Sequence, residues 1–295
     1  MAAETDGQAT GGAGMNPAIP DAEIAALASF VRNNSRLFVL TGAGCSTASG
    51  IPDYRDAEGA WKRPPPMDFR TFMHSGGARQ RYWARGMIGW RRFGKAAPNA
   101  AHRALAAMQR QGRITVLVTQ NVDGLHEAAG SEDVIDLHGR MDLVRCMQCE
   151  RRQPRQLVQE WLESLNPGWL ALDARVAPDG DADIDGIDFS TFVVPPCPVC
   201  GGILKPDVVF FGESVPPARV AAATEGLARA RGVLVVGSSL MVYSGFRFVT
   251  AASRAGQPIA AINLGHTRAD TMLALKLSRP CGATLTALMA TLSAD

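Results

Sequence analysis

Residues 37–44 read Leu-Phe-Val-Leu-Thr-Gly-Ala-Gly, and the predicted fold depends most on this segment. Its first four residues are all apolar, which is expected of a short strand that is buried on both faces. The strand runs directly into Gly42-Ala-Gly44, where the missing side chains would let the backbone approach a phosphate group. Similar apolar stretches recur at 114–118, 233–236 and 259–262, each after a segment with helical spacing. This alternation predicts an α/β fold, with a parallel sheet that carries helices on both faces.

The composition is that of an ordinary globular protein. The chain has 295 residues, of which 46% are hydrophobic and 20% are charged, and its formal net charge is +2. These values exclude disordered and coiled-coil chains, and the small net charge favours neither nucleic-acid nor membrane partners. No apolar run approaches the roughly 18 residues that span a bilayer, and the first residues show no targeting signal. We therefore expect a cytoplasmic protein with no nucleic-acid or membrane partner.

Changes in composition along the chain predict three structural parts. Residues 1–20 have almost nothing to bury and predict a disordered tail, after which a helix is expected to begin with Asp21 as its N-cap. Residues 21–141 and 206–295 are predicted to form the sheet domain. Residues 142–205 are predicted to form a small inserted module, with a long loop at 166–188 that is rich in Pro, Gly and Asp.

Four of the six cysteines form two C-x-x-C pairs, Cys146 with Cys149 and Cys197 with Cys200. Two such pairs are typical of a tetrahedral zinc site made of four thiolates, which has no open position and therefore stabilises the fold. Two redox-active dithiol pairs are the alternative. The remaining cysteines, Cys45 and Cys281, are predicted to be small buried thiols.

The glycine turn departs from the pattern of enzymes that transfer a hydride. Thr47 stands where the third glycine of G-x-G-x-x-G belongs, and no strand ending in an acidic residue follows about 20 residues later. The chain instead continues to Asp53-Tyr-Arg55, within a Gly- and Pro-rich segment at 50–66 that is a candidate lid. The turn therefore indicates a dinucleotide held in an unusual way on a Rossmann-like sheet, as a consumed substrate. An ordinary tight turn is the alternative.

Polar side chains follow several predicted strands directly. Gln120, Asn121 and Asp123 follow the strand at 114–118, and His138 ends a short strand at 134–137. Ligands of open parallel sheets bind at the carboxyl ends of strands, and neutral imidazole suits a general base near pH 7. We therefore predict a ligand site with His138 as its base. The alternatives are an Asx turn at 120–123 and a structural histidine, the role we expect for the other four histidines.

Further residues belong to the same predicted edge. The strands at 233–236 and 259–262 are followed by small or polar residues: Gly237, Ser238, Ser239, Asn263, Leu264 and Gly265. The stretch 205–213, Lys-Pro-Asp-Val-Val-Phe-Phe-Gly-Glu, predicts a short apolar strand. It is either a core strand or an exposed edge that accepts an extended peptide by strand addition.

Taken together, these motifs resemble those of the sirtuins, the NAD-dependent protein lysine deacylases. The shared motifs are GAGCSTASGIPDYRD, TQNVDGLH, LHG, CMQC with CPVC, KPDVVFFGE, GSSLMVYSG and NLG, in the family's order. The resemblance covers about residues 21–293. Within the family, RQRYWAR, LNP…APDGD and LKLSRPCG resemble the class II branch, to which the mitochondrial lipoamidase and ADP-ribosyltransferase sirtuin belongs. A bacterial cytoplasmic relative is expected, because the N-terminal residues lack mitochondrial targeting character.

The resemblance implies a role for each motif. The first wall of the NAD site and its lid would comprise Gly42, Ala43, Gly44, Asp53, Tyr54 and Arg55. The ribose and nicotinamide pocket would comprise Gln120, Asn121 and Asp123. The adenosine half would be surrounded by Gly237, Ser238, Ser239, Asn263, Leu264, Gly265 and the backbone near Cys281. The acyl-lysine tunnel and peptide groove would be bordered by Val209, Phe211 and Glu213.

The implied reaction moves the acyl group of a lysine to ADP-ribose. Nicotinamide leaves C1′ of the ribose near Asn121 and Asp123, the acyl oxygen attacks C1′, and His138 then takes a proton from a ribose hydroxyl. The implied partners are acyl-lysine proteins or peptides, with NAD as co-substrate and zinc as a structural ion. A protein mono-ADP-ribosyltransferase and a non-enzymatic sensor of NAD or peptide are the alternatives.

One pair of residues bears on the acyl group. Tyr82 and Arg85 lie three residues apart in a predicted helix over 80–90, so both side chains can share a face. The desuccinylase branch of the sirtuins has a Tyr-x-x-Arg pair that binds an acidic acyl chain. The alternative is an apolar acyl pocket, with Arg85 solvated or structural.

Overall fold

The computed structural model describes residues 19–62, 66–172, 184 and 186–294. Within these residues the helices are α1 (Asp21–Asn33), α2 (Phe69–His74), α3 (Gly76–Phe93), α4 (Ala100–Arg110), α5 (Leu125–Ala128), α6 (Arg155–Leu165), α7 (Pro217–Arg229), α8 (Tyr243–Arg254) and α9 (Cys281–Ser293). The strands are β1 (Leu37–Thr41), β2 (Ile114–Thr119), β3 (Ile135–Asp136), β4 (Gly139–Cys146), β5 (Arg152–Pro154), β6 (Leu204–Val208), β7 (Gly232–Val236), β8 (Ile259–Ile262) and β9 (Leu275–Leu277). Most of the predicted N-terminal tail, and residues 173–183 and 185 of the predicted long loop, lie outside the described residues.

The larger sheet has the strand order β3-β2-β1-β7-β8-β9, and every neighbouring pair in it is parallel. The chain builds one half outward from β1 and then returns to build the other half outward from β7. The strand order therefore reverses between β1 and β7, which leaves a crevice at their carboxyl ends. This arrangement confirms the predicted Rossmann-like fold.

Strand β1 shows why the sheet is covered on both faces. Leu37 and Val39 belong to the core that α1, α4 and α9 complete, whereas Phe38 and Leu40 belong to the core under α7 and α8. All four side chains are fully buried. Because successive residues of a strand point to opposite faces, helices on both faces require a strand that is apolar throughout.

A smaller antiparallel sheet, with the order β5-β4-β6, carries the two C-x-x-C pairs at its end. Its buried residues form one core with α3 and α6, in which the indole nitrogen of Trp83 donates to the Leu204 carbonyl at 3.2 Å. The predicted domain borders at 141/142 and 205/206 fall inside β4 and β6, the strands that join this sheet to the rest of the chain. The division into domains stays a prediction.

Two predicted boundaries differ from the observed ones. Helix α1 starts at the expected residue, but Pro20 occupies the N-cap position and Asp21 is the first helical residue. The predicted strand at 205–213 ends at Val208. It ends there because the chain turns, with the Glu213 carboxylate accepting from the Phe210 backbone nitrogen at 2.9 Å.

Among the described helices, none is both long and apolar enough to span a lipid bilayer.

Candidate active site

A cavity of about 840 Å³ opens at the carboxyl edge of the larger sheet. The predicted site residues that line it are Gly42, Ala43, Gly44, Asp53, Tyr54, Arg55, Tyr82, Gln120, Asn121, Asp123, His138, Val209, Phe211, Glu213, Gly237, Ser238, Ser239, Asn263, Leu264, Gly265 and Cys281. The fold therefore gathers in one cavity residues that are spread over most of the sequence. The four C-x-x-C cysteines and Arg85 are not among its lining residues.

The floor of the cavity is formed where the turns after β1 and β7 meet. The Gly44 backbone nitrogen donates to the Gly237 carbonyl at 2.8 Å. Gly237 has a φ of +63°, and a Cβ at this position would collide with the backbone of Gly44 and Cys45. A side chain at this position would push the turns apart, so glycine is required where the strand order reverses. The result is a floor of bare backbone that a dinucleotide can approach closely.

Three polar side chains form a network beside this floor. The Ser46 hydroxyl donates to the Asp123 carboxylate at 2.7 Å, and the Asn121 amide donates to Ser46 Oγ at 3.0 Å and to the Gly42 carbonyl at 3.1 Å. Burial raises the pKa of Asp123 above its ordinary value. The network fixes Asn121 and Asp123 in place. The sequence did not indicate Ser46 as a site residue, because a serine two residues after a glycine turn has no spacing that marks its partner.

The hydrogen bonds of His138 fix which of its ring nitrogens carries the proton. Nδ1 lies 2.8 Å from the Gln120 carbonyl, which can only accept, so Nδ1 is the protonated nitrogen. Nε2 is then an acceptor, and the Ser244 hydroxyl donates to it at 2.7 Å. Burial lowers the pKa of His138 to about 4, so the imidazole is neutral at pH 7. A neutral imidazole with a proton-accepting nitrogen at the cavity is what a general base requires.

The candidate lid forms one wall of the cavity and is held by its own contacts. Lys62 pairs with Asp53 at 2.5 Å, and the Arg55 guanidinium lies 4.0 Å from the centre of the Trp61 ring. Arg55 also donates to the Gly59 carbonyl at 2.7 Å. These contacts hold Asp53 and Arg55 at the cavity. Residues 63–65 of the segment lie outside the described residues.

An aromatic cluster forms the apolar side of the cavity. The rings of Phe72 and Tyr82 each lie 5.2 Å from the ring of Phe210, measured between centroids. Arg85 does not join Tyr82 in the cavity lining. A role for Arg85 in binding the acyl group therefore stays a prediction.

The four C-x-x-C cysteines fit a single metal ion. The sulfur atoms of Cys146 and Cys200 are 3.5 Å apart, those of Cys149 and Cys197 are 3.8 Å apart, and all four lie within 4.8 Å of one another. Sulfur atoms bound tetrahedrally to zinc at about 2.3 Å are about 3.8 Å apart. The donor set and its spacing therefore fit one zinc ion, with no coordination position left for chemistry.

Comparison with known protein families matches residues 42–244 of this chain to the Sir2 family. The chain belongs to the Sir2 family. A relative from Bordetella bronchiseptica named NAD-dependent protein deacetylase is 66% identical over 259 residues, which cover 88% of this chain and 94% of the relative. NAD-dependent protein deacetylase 1 of Streptomyces coelicolor is 48% identical over 277 residues, 94% of this chain and 92% of the relative. The sirtuin resemblance seen in the sequence is confirmed.

Solved Sir2 structures share the fold. A structure described as Sir2 with a p53 peptide and NAD⁺ aligns with a TM-score of 0.70 at 30% identity, covering 90% of this chain and 98% of that one. Another, described as the structural basis for the mechanism and regulation of Sir2 enzymes, aligns with a TM-score of 0.74 at 29% identity, covering 93% and 99%.

The remaining buried histidines and cysteines of this Sir2 chain have structural surroundings. His102 Nδ1 accepts from the Asn99 backbone nitrogen at 3.2 Å in a capping box, and His126 Nε2 lies 2.9 Å from Thr41 Oγ1. Cys45 and Cys281 are 1% and 7% exposed, as expected of small buried thiols. Burial raises the pKa of both thiols, that of Cys281 to about 12, so they are protonated at pH 7.

The buried histidines make stability depend on pH. Burial lowers the pKa of His102, His126 and His138 to about 4, 3 and 4, from the ordinary 6.5, whereas burial raises that of Asp136 to about 7 from 3.8. Between about pH 6.5 and 4 the unfolded chain therefore binds three protons on the histidines that the folded chain does not, and the folded chain binds one on Asp136. We expect the free energy of unfolding to fall as the pH falls through this window.

Urea unfolding at several pH values measures this effect. Replacing His126 with glutamine removes one of the three protons and should flatten the slope by about 1.4 kcal/mol per pH unit. His74, which is exposed on α2, is the matched control, and His74→Gln should leave the slope unchanged. Equal slopes in His126→Gln and the unmodified chain would contradict the expectation.

Proposed function

We propose that this Sir2 protein is an NAD-dependent protein lysine deacylase that transfers the acyl group of a modified lysine to ADP-ribose and releases nicotinamide. The observation that carries the proposal is the neutral His138, whose Nε2 accepts a hydrogen bond at the cavity formed where the strand order reverses. The relatives named NAD-dependent protein deacetylase support the same activity.

His138 is the general base of the proposed reaction. Its Nδ1–H is held by the Gln120 carbonyl, so the proton from a ribose hydroxyl goes to Nε2. Its low pKa keeps the imidazole unprotonated at physiological pH, so the base is available in nearly every molecule. NAD, when bound, supplies the nicotinamide leaving group and the ribose that receives the acyl group.

Asn121 and Asp123 line the nicotinamide side of the site in this proposal. Their side chains are held in place through Ser46. The backbone floor at Gly44 and Gly237 admits the pyrophosphate, because no side chain projects there.

The acyl-lysine chain is proposed to enter beside Val209–Glu213 and to end against the aromatic cluster. Phe211 forms an isolated parallel bridge with Asp68, which places this segment along the cavity. Lys205 supports the segment from behind, since its buried ammonium donates to Glu213 at 3.0 Å. One solved relative is described as Sir2 bound to acetylated peptide, which fits a protein or peptide substrate.

The four-cysteine site is proposed to hold zinc and to act in stability only. Its sulfur spacing fits the ion, and it lies outside the cavity. We further propose a cytoplasmic location, because two C-x-x-C pairs used as metal ligands require reduced thiols.

The finer placement in the class II branch rests on sequence. RQRYWAR, LNP…APDGD and LKLSRPCG carry it, and LKLSRPCG ends at the start of α9, where Cys281 lines the cavity. The division into a sheet domain at 21–141 and 206–295 and a zinc module at 142–205 is retained as a proposal with it.

Incubation of the protein with NAD and a panel of acyl-lysine peptides tests the function. Free O-acyl-ADP-ribose together with nicotinamide is the expected result. Nicotinamide release with ADP-ribose attached covalently to protein would instead establish the mono-ADP-ribosyltransferase. Absence of nicotinamide release with every peptide would leave only a sensor of NAD or peptide.

The absence of Arg85 from the cavity lining predicts that acidic acyl groups have no advantage over acetyl. A charge-assisted bond from Arg85 would favour succinyl-lysine about 10- to 10²-fold, a preference that Arg85→Met would remove. We expect Arg85→Met to change kcat/KM for acetyl and succinyl peptides by the same factor. Arg81→Met, on the exposed side of α3, is the matched control. A succinyl preference that Arg85→Met alone abolishes would show that Arg85 binds the acyl group.

A further inference from the structure

The base nitrogen of His138 already has a partner. Ser244, the second residue of α8, lines the cavity and lies with its Oγ 2.7 Å from His138 Nε2. Because Nδ1 gives its hydrogen to the Gln120 carbonyl, the hydrogen in this contact belongs to the serine hydroxyl. Ser244 therefore holds the imidazole at the nitrogen that the proposed reaction uses.

Proton transfer changes His138 Nε2 from a hydrogen-bond acceptor into a hydrogen-bond donor. In the proposed step the O–H bond of a ribose hydroxyl breaks, an N–H bond forms at Nε2, and the ring becomes a cation. The cation forms at a buried position, where the positive charge of Arg219 already disfavours protonation of His138. The new N–H requires an acceptor there, because a buried unpaired donor on a charged group is costly.

We propose that Ser244 is a positioning residue for the base. Its hydroxyl donates to Nε2 in the resting site. For the transfer it turns about the Cβ–Oγ bond, which frees the single Nε2 lone pair for the ribose proton, and its oxygen then accepts from Nε2–H. Ser244 keeps its own proton throughout, and a hydroxyl group can fill both roles because it has one donor and two lone pairs. The inference rests on the proposed deacylase function and adds a residue to it.

The expected effect is confined to the step that uses His138. A hydrogen bond to a charged group typically changes an equilibrium or a rate by about 10- to 10²-fold. Ser244→Ala should reduce the kcat of deacylation by that factor. Exchange of labelled nicotinamide into NAD in the presence of acyl peptide should stay near the unmodified rate, because nicotinamide leaves before His138 acts. Ser253→Ala, at an exposed serine of the same helix, is the matched control and should change neither rate.

A double-mutant cycle separates positioning from a general effect on the fold. In the His138→Ala background, Ser244→Ala should cause no further loss of deacylation, because the base that it positions is gone. Equal losses of exchange and deacylation in Ser244→Ala, unchanged deacylation, or a further loss in the His138→Ala background would each overturn the assignment.

Failure of the proposed function has a different signature. If the unmodified protein forms no O-acyl-ADP-ribose with any peptide, the deacylase proposal fails and the role of Ser244 fails with it. If the unmodified protein is active and Ser244→Ala matches it in both rates, the role of Ser244 alone is overturned.

Discussion

Replacing His138 with alanine is expected to reduce deacylation about 10²- to 10⁴-fold, the usual contribution of a general base. The imidazole is neutral, and its Nε2 is the one ring nitrogen with a lone pair, because Nδ1 donates to the Gln120 carbonyl. NAD should still bind, since the floor at Gly44 and Gly237 does not depend on this side chain. Turnover of an acetyl-lysine peptide and titration of NAD binding measure the two effects.

The control for this variant is His74→Ala. His74 is exposed on α2 and does not line the cavity, so its replacement should leave turnover unchanged. Near-normal turnover in His138→Ala would refute the assignment of the base. The pH profile adds a further check: kcat/KM should fall only as the pH approaches about 4, because protonation of His138 removes the acceptor. A loss of kcat/KM centred near pH 6.5 would instead indicate that the base is an ordinary exposed histidine.

Removing the zinc, or replacing Cys197 with alanine, is expected to unfold the small sheet and to abolish activity. Apparent binding free energies of structural zinc are about 10–16 kcal/mol in zinc-finger peptides at neutral pH, against about 5–15 kcal/mol for the stability of a whole domain. Loss of the zinc should also disturb the cavity, because helix α3 shares a core with the small sheet and its Tyr82 lines the cavity. Thermal melting, activity and metal analysis of the same sample measure the three consequences.

Metal analysis should find one zinc per chain. Cys45→Ala is the matched control, because Cys45 is a cysteine outside the four-sulfur group and its loss should leave the zinc content unchanged. A metal-free protein with unchanged melting and full activity would contradict the structural role. It would favour the two redox dithiol pairs that the spacing alone also allows.

The large sheet follows from the amino-acid sequence alone. Leu37–Leu40 is apolar without interruption, and such a run is stable only where both faces of the strand are covered, so the run alone predicts helices on both sides. The residues that follow each strand had to meet at one edge, because parallel strands end on the same side. This reasoning predicts His138 as a site residue, although its neighbours in the sequence do not by themselves indicate catalysis.

Spacing also determined the cysteine site. Two C-x-x-C pairs carry a strong signal because few other arrangements use that pattern, and the four sulfur atoms do converge. By contrast, spacing leaves the pair Tyr82 and Arg85 a prediction, because Tyr82 is among the residues that line the cavity and Arg85 is not. Spacing three along a helix brings two side chains near each other, but the packing of α3 decides which of them faces a cavity.

Only the tertiary structure revealed Ser46 and Ser244. Ser46 meets Asp123 across 77 residues of sequence, and Ser244 meets His138 across 106. Serine is common in turns and at helix starts, so its presence there has no periodicity or spacing that marks a partner. Sequence patterns report which face or edge a residue occupies, because that depends on its neighbours in the chain. Which hydroxyl forms a hydrogen bond with which nitrogen depends on how separate elements pack. That packing is fixed only when the whole chain is folded.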